Sequence, residues 1–575
     1  MNLNKYFSLV VEKWFGGVSK RPFIDYAINR INEKWSDRRI FLVEAPTGYG
    51  KSTISASLSL YSIREELKSI IAFPLRTLLE DQYNKFLKLF NRRILGKRYM
   101  HHPDSPYLIK PVTLTTIDTL SLVLFGIAPE DIQKVTRYYM GTSRGSLGHY
   151  LFSWSSIALS NLILDEVHLL SDSTKSLNFL ITLLKVVEDN DQRLILMSAT
   201  VPNALKKVIK SYIDKPEFIS FDESFDTSFT DNRKRKKYDT HINPLKMDEK
   251  LNKIFEWMID EYKRFQRVLV IFNTVRDAVN FYSFLNEKLS LFDLTRNEII
   301  LLHSRFSEKD REKKSCKLNN IKKGNRYIIV ATQVVEAGID ISSNLLITEL
   351  APANSLIQRI GRFLRYEDEL EGSIYIWYEV NEKNELLKSN GRYKVYDWEL
   401  TNRTLKALEE KEINFHLPSG YRDFLEKVYT INDFEVDIKA INDLRRILLN
   451  FEYGSLISLE KFFELEGSFV RESSIVPIVV EKLIEKHRKE DVVELEVEKF
   501  SQLTIPISIN FLFKLEPEKM IALSEGKLVI QDVSPRFFKY HGVFVRNMVR
   551  NNIQAFIVPA KYSEEKGLTI GGEDE

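Results

Sequence analysis

Eight short apolar runs constrain this chain more than any other feature of its 575 residues. Four come early: "RIFLVEAP" (39–46), "SIIAFPL" (69–75), "NLILDEV" (161–167) and "RLILMSAT" (193–200). Four come later: "RVLVIFNT" (267–274), "EIILLHS" (298–304), "RYIIVATQ" (326–333) and "LLITEL" (345–350). A strand that is apolar on successive residues is buried on both faces. When helical patterns follow such strands, the sheet is parallel and its faces are covered by helices. Between the two series stands "DTSFTDNRKRKKYDTHINP" (226–244), polar and charged, which reads as an interdomain linker. Its basic run, Arg233 to Lys237, is either a solvated part of that linker or a nucleic-acid contact. The expected division is an α/β domain over 1–225, a linker over 226–245, a second α/β domain over 246–380 and a C-terminal accessory domain over 381–575. The last part mixes helical patterns such as "LTNRTLKALEEKE" with short strands near 504–512 and 528–533, so it reads as mixed α/β.

The first run leads into "APTGYGKST", Ala45 to Thr53, and then into a helical pattern. A glycine-bearing loop between a strand and a helix aims backbone N–H groups at phosphate oxygens. Ala45, Pro46, Thr47, Gly48, Tyr49, Gly50, Lys51, Ser52 and Thr53 are therefore the candidate nucleotide cradle. Gly48 and Gly50 permit close backbone approach, Lys51 would reach the β and γ phosphates, and Ser52 would ligate Mg²⁺. The strict pattern begins with glycine, and here Ala45 stands in that place.

The run "LILDEVHLL" (162–170) places two acids, Asp165 and Glu166, beside an apolar strand. A buried charge costs several kcal/mol unless it is paired or bound to a metal. One solution is a helix whose first turn carries acids; the other is a cation at the strand's end. With the phosphate cradle in the same domain, the second is the consistent one: Asp165 holds Mg²⁺ beside Ser52, and Glu166 deprotonates the attacking water. His168 then reads as a polar contact across the cleft to the second domain, with a structural histidine as its alternative. "SAT" (198–200) ends a strand beside the same cleft and is suited to relay its closure.

In the second domain "LIQRIGRFLR" (356–365) gathers Gln358, Arg359, Arg362 and Arg365 as a basic helical face. Hydrolysis of a nucleoside triphosphate needs positive charge at the γ phosphate, and Arg362 and Arg365 are the candidate arginine fingers, with Gln358 beside them. "EAGIDIS" (336–342) supplies Gly338 and Asp340, suited to lining the nucleotide from the opposite wall.

Taken in order, "APTGYGKST", "FPLRTLLEDQ", "TTIDTL", "DEVH", "SAT", "FNT", "ATQVVEAGIDIS" and "QRIGRFLR" resemble the motifs of superfamily 2 DExH helicases over roughly residues 40 to 370. More narrowly, "TTIDTL", "LLHSRF", "ATQVVEAGID" and "QRIGRFLR", with the later "YDWELTNRTLKALEEKEINF" and "LEKVY", resemble the CRISPR-associated helicases of type I interference systems. The resemblance implies two tandem RecA-like domains, ATP and Mg²⁺ as cofactors, and a motor that moves 3′ to 5′ on single-stranded DNA, gripping sugar and phosphate without sequence readout. It further implies recruitment by an RNA-guided CRISPR surveillance complex. By position it carries Arg76 and Thr115 onto the strand from the first domain, and Thr274, Arg305 and Thr332 from the second; a structural role is the alternative for each. Two departures stand out. Ile24 follows Phe23 where many relatives have an adenine-reading glutamine. The nine histidines are scattered, with His101 and His102 the sole adjacent pair, so the expected form is helicase-only, with an HD-type nuclease supplied by a separate protein.

Composition bears on three further points. A net charge of +3 neither requires nor forbids a nucleic-acid groove. The single cysteine, Cys316, rules out an intrachain disulfide and suits a reducing compartment. No apolar run approaches the roughly 18 residues of a spanning helix, so a cytoplasmic protein with no membrane partner is expected. Two other functions fit the same motifs: a DExH RNA helicase, and a nucleic-acid-gated ATPase clamp that does not unwind.

Overall fold

The computed structural model describes residues 2–17, 21–99, 102, 104–144, 148, 150–288, 298–321, 326–449 and 454–570. Of the adjacent histidines, His101 lies outside them. Each of the eight apolar runs forms a strand. The first sheet contains β1 (Ile40–Glu44), β2 (Lys68–Phe73), β3 (Leu95–Arg98), β4 (Val112–Thr116), β5 (Ser160–Leu164), β6 (Leu194–Ser198) and β7 (Glu217–Ser220), in the order β3-β4-β2-β5-β6-β1-β7. All its pairings are parallel. Every residue of β1, β4, β5 and β6 is buried, as expected for strands with helices on both faces. Because β6 lies between β5 and β1, the loops leaving these three strands emerge side by side at one edge of the sheet. That crevice at the carboxyl ends of the strands is where open α/β sheets bind ligands.

The second sheet contains β8 (Lys237–Leu245), β9 (Arg267–Ile271), β10 (Ile299–Leu302), β11 (Tyr327–Ala331), β12 (Leu345–Glu349) and β13 (Glu371–Glu379), again wholly parallel, in the order β10-β11-β9-β12-β13-β8. This corrects the reading of 226–245 as a linker. Thr227–Lys234 is a helix, and Lys237–Leu245 is an edge strand paired with β13 along its whole length. Its signal was a two-residue alternation in which Tyr238, Thr240 and Ile242 are half-buried and Lys237, Asp239 and His241 exposed. Pro244 is tolerated because the strand is an edge.

The C-terminal region builds a third, mixed sheet of seven strands; within it Ile475–Val480 and Ile553–Val558 pair in parallel and the other pairings are antiparallel. The stretch near 504–512 is a strand only over Ile505–Ser508, after which Ile509–Leu515 is helical. This region grips both large sheets. Arg471 makes a bidentate bond to Asp118 at 2.7 Å, and Phe469 packs on Phe125 with ring centroids 4.3 Å apart. At its far end a hairpin, Lys561–Ser563 with Gly567–Thr569, lies on the loop after β10: Leu568 N–H donates to the Arg305 carbonyl and Ser307 N–H to the Tyr562 hydroxyl. Gly567 has φ +70°, and a Cβ there would stand 2.5 Å from the Arg305 carbonyl oxygen, so this approach requires glycine. Among the described residues no helix is long and apolar enough to cross a membrane.

The second sheet carries a buried ionic cluster. Lys250 donates to Asp277 at 2.7 Å and to Glu379 at 2.6 Å, and Lys394 reaches the same two carboxylates at 3.0 Å. Burial alone would raise the Asp277 carboxyl; Lys394 and Lys250 overcome it and hold it down to about 2. Lys250→Met leaves two buried acids sharing one cation and should destabilise the protein by about 3–5 kcal/mol in urea unfolding. Since the folded Asp277 titrates below its ordinary 3.8, its contribution is complete above that value and is lost as pH falls toward about 2. Unchanged stability in Lys250→Met, or an acid limb identical to that of the parent, would discount the cluster.

Candidate functional site

The loop after β1 turns tightly because Gly48 and Gly50 adopt φ +79° and +108°, and Tyr49 N–H closes onto the Pro46 carbonyl at 3.1 Å. The helix Ser52–Arg64 begins directly after it, so Lys51 and Ser52 present N–H groups at a positive helix end, while Thr53 N–H donates to the Gly50 carbonyl at 3.0 Å. Lys51 is buried, and its ammonium rests on the Ala45 carbonyl at 3.0 Å. The Thr53 hydroxyl donates to the Gly50 carbonyl and is a structural member of the loop. Tyr49 does not line a binding surface. Its ring is wholly buried against Phe221 and Phe229, and its hydroxyl donates to Asp226 at 2.8 Å. Phe23 and Ile24 are likewise buried in this cluster.

Asp165 and Glu166 leave β5 one sheet position beyond β6. Burial, with Glu166 alongside, pushes the Asp165 carboxyl up, while Lys51 opposes the shift. Glu166 sits in the left-handed region at φ +50°, a strain that functional loops tolerate, and its buried Oε2 makes no hydrogen bond but lies 3.4 Å from His168 Nδ1. This pair answers the question of how two acids are tolerated there: one carboxyl is driven toward neutrality and the other borders the His168 ring.

His168 is not a contact across the cleft. Its Nδ1 lies 3.0 Å from the Ser198 hydroxyl at the end of β6, and burial lowers its pKa, which favours the neutral ring. The connection to the second domain runs two steps further. Ser198 Oγ donates to the Thr200 carbonyl, and Gln358 donates to the Thr200 hydroxyl at 3.4 Å. His168 therefore reaches Gln358 through "SAT".

The basic segment does not form one helical face. The helix Ala353–Ile360 ends before Arg362 and Arg365. Arg359 is fully buried and bonded to Glu336, Glu349 and Asn273 inside its own domain. Arg362 is buried, donating to the carbonyls of Val335 and Glu336. Arg365 alone is aimed at the cradle: its Nη2 lies 3.9 Å from the position of a Cβ on Gly48, and its buried Nη1 has no hydrogen-bond partner. Asp340 pairs with it at 3.3 Å. Gly361 approaches the same loop, its Cβ position 3.6 Å from the Thr47 hydroxyl. Gly338 does not face the nucleotide loop: a Cβ there would lie 2.8 Å from the Thr77 hydroxyl and 2.9 Å from the Leu78 nitrogen, at the start of the helix Arg76–Phe86.

The strand-contact candidates fare unevenly. Thr115 is buried with its hydroxyl on the Arg98 carbonyl, Thr274 is buried as the helix cap bonded to Asp277, and Thr332 is buried. Their hydroxyls are unavailable to a ligand in this conformation. Arg76 forms an ion pair with Glu308 of the second domain and stacks on Tyr99, and the Arg305 guanidinium lies 4.3 Å over the Phe511 ring. The half-buried Arg311 stands beside Arg76, an arginine not singled out in the sequence because its helix, Glu308–Ile321, reads as a solvated charged face. His102 stacks on Tyr99, and among the described residues no group of three or more His, Cys, Asp or Glu is arranged to hold a metal ion.

With this geometry established, the comparisons can be placed on it. Residues 25–208 match the DEAD/DEAH box helicase family model, and residues 264–368 match the model described as CRISPR-associated nuclease/helicase Cas3, C-terminal. The chain carries a DEAD/DEAH-box helicase domain and a Cas3-like C-terminal helicase domain. It is 26% identical over 485 residues to a putative CRISPR-associated nuclease/helicase Cas3 of Methanocaldococcus jannaschii, covering 77% of this chain and 60% of that protein, so it spans less than two thirds of that curated relative. Its fold is similar to T. fusca Cas3 crystallised with AMPPNP, at a TM-score of 0.67 and 15% identity, covering 98% of this chain and 72% of the other. It is also similar to a chain in a CRISPR RNA-guided surveillance complex in a pre-nicking state, at a TM-score of 0.58 and 15% identity over 95% and 68% of the two chains. The cradle after β1 and the acids after β5 lie in the first matched span, and Gly338, Gln358 and the three arginines in the second, so the two matched spans meet where Arg365 faces Gly48.

Gly338→Ala tests how closely these halves approach. Alanine at φ +76° is strained, and its methyl would collide with the Leu78 backbone. The substitution should lower stability by about 1–3 kcal/mol and widen the cleft in solution scattering. A variant with the parent's melting temperature and scattering profile would mean that the two surfaces do not meet in solution.

Proposed function

We propose that this chain is an ATP-dependent helicase that translocates 3′ to 5′ on single-stranded DNA during CRISPR interference, recruited by an RNA-guided surveillance complex, with nuclease activity supplied by a separate HD-type protein. The domain division and the site assignments below are part of this proposal. The observation that carries it is the Arg365 guanidinium, with a free Nη1, facing Gly48 from the other domain, which makes one nucleotide site out of two halves. Both halves must close before hydrolysis, so turnover moves one relative to the other. The fold match to a chain of a surveillance complex supports the recruiting partner.

In this reading ATP phosphates sit on the N–H groups of Gly48, Gly50, Lys51 and Ser52, and the Lys51 ammonium leaves the Ala45 carbonyl for them. Mg²⁺ suits the same place: Ser52 and Asp165 would hold it, the buried Asp165 carboxyl already feels Lys51 of the loop, and a bound ion would neutralise phosphate charge. Glu166 orients the attacking water and accepts its proton. Arg365 stabilises charge on the γ phosphate, worth about 10³–10⁵ in rate for arginine fingers generally. Gln358, through Thr200, Ser198 and His168, links closure of the second domain to the acids. Arg76 and Arg311 form the basic group nearest a nucleic-acid path, presently neutralised by Glu308.

Lys51→Ala should lower ATP turnover by about 100-fold or more while retaining much DNA binding. Glu166→Gln should bind ATP and turn it over at least about 100-fold more slowly. Equal loss of ATP binding in both variants would defeat this division of roles. ATP hydrolysis should be stimulated by single-stranded DNA more than by RNA, and a duplex with a 3′ tail should be unwound in preference to one with a 5′ tail. RNA stimulation with RNA unwinding would make it an RNA helicase, and DNA-stimulated hydrolysis without strand displacement a clamp. With Mg²⁺, Mn²⁺, Ni²⁺ or Co²⁺, this chain alone should leave single-stranded DNA uncut; metal-dependent cleavage that survives repurification and disappears in a His101/His102 double mutant would overturn the separate-nuclease reading.

A further inference from the structure

The segment between the two large sheets does more than join them. The helix Thr227–Lys234 is fastened to the phosphate loop at its start. Asp226, its N-cap, accepts the Tyr49 hydroxyl at 2.8 Å and the Phe229 N–H at 2.9 Å, and the Phe229 ring meets the Tyr49 ring edge-on with centroids 5.0 Å apart. Two residues beyond its other end, Lys236 is buried. Its ammonium donates to the Leu364 carbonyl at 2.6 Å, the Tyr366 carbonyl at 2.7 Å and the Glu369 carbonyl at 2.9 Å. An ammonium has three protons to donate, and here each finds a carbonyl. Two of those carbonyls belong to the residues on either side of Arg365. The loop they form is unusual in its own backbone, since Leu364 sits at φ +45°. Its N–H groups are held separately: Arg365 N–H donates to Ser342 and Tyr366 N–H to the Glu369 carboxylate.

We infer that Lys236 is a positioning residue for the arginine finger, and that the Thr227–Lys234 helix is a strut holding Arg365 at a set distance from the loop that carries Gly48. The inference rests on the reading of Arg365 as the finger. The reason for a lysine at this place is the direction of the three carbonyls: without a cation among them their dipoles repel, and the turn strained at Leu364 keeps its N–H bonds but loses the anchor of its carbonyls. A finger displaced by about 1 Å loses on the order of 100-fold in rate in well-ordered active sites, so a loosened loop should be read directly in turnover.

The test uses the full chain with saturating single-stranded DNA. Lys236→Met should reduce kcat for ATP about tenfold with KM for ATP changed by less than about threefold, and Lys236→Gln, which keeps two N–H donors, should lie between it and the parent. Arg365→Gln should cost at least as much by itself. Adding Lys236→Met to Arg365→Gln should cost little more, because two residues acting as one unit are not additive. Melting temperature and binding of a fluorescent non-hydrolysable ATP analogue are measured on each variant. If Arg365→Gln loses activity and Lys236→Met does not, the inference falls and the finger stands. If the two losses multiply, Lys236 acts apart from Arg365 and the inference falls. If neither substitution changes kcat, the finger reading falls and takes the inference with it. If neither Lys236 variant folds, Lys236 is a structural residue and the inference is overturned.

Discussion

Burial of the parallel strands on both faces is the constraint from which the site follows. A strand such as β5 or β6, with no accessible residue, has room for polar chemistry only where it ends. Asp165 and Ser198 stand at or just past those ends, and the phosphate loop leaves β1 next to them. The second sheet obeys the same rule: Asn273 and Thr274 follow β9, and Thr332 follows β11. Two sets of strand ends thus confront one another, and contacts between the halves occur there in a graded series. Gly338 on Thr77 and Leu78 is close packing against a helix start, Gln358 on Thr200 is a hydrogen bond, and Arg365 toward Gly48 is a charge aimed from one half at the other.

Much of this was legible in the sequence, for a physical reason. Continuous apolar runs have few alternatives to a doubly covered parallel strand, and "APTGYGKST" is contiguous, so local order alone assembles the cradle. The strand Lys237–Leu245 was missed because an edge strand is covered incompletely and keeps its charges. The C-terminal sheet was only partly visible because several of its strands are two to six residues long and its pairings join distant segments.

Side-chain roles were less legible than positions. The sequence places Thr115 and Thr274 within motifs, but whether a hydroxyl faces a ligand depends on whether a carbonyl or carboxylate claims it first, and the Arg98 carbonyl and Asp277 do. Choosing between Arg362 and Arg365 required knowing that the helix stops at Ile360. Lys236 could not have been picked out, because its acceptors are main-chain carbonyls more than a hundred residues away and leave no trace in residue type.

The C-terminal region is fastened at two points, to the first large sheet through Arg471 and Phe469 and to the second through the hairpin at Tyr562 and Leu568. A body held on both sides of a hinge limits how far the hinge can open. The slack is short: only Pro559 and Ala560 separate the strand Ile553–Val558 from the hairpin that begins at Lys561. Two fully extended residues span roughly 7 Å. A domain stroke longer than that must unfasten the hairpin or carry the third sheet along with the second domain. The separation open to the two large sheets is therefore limited by a two-residue leash near the far end of the described chain as well as by the segment that joins them.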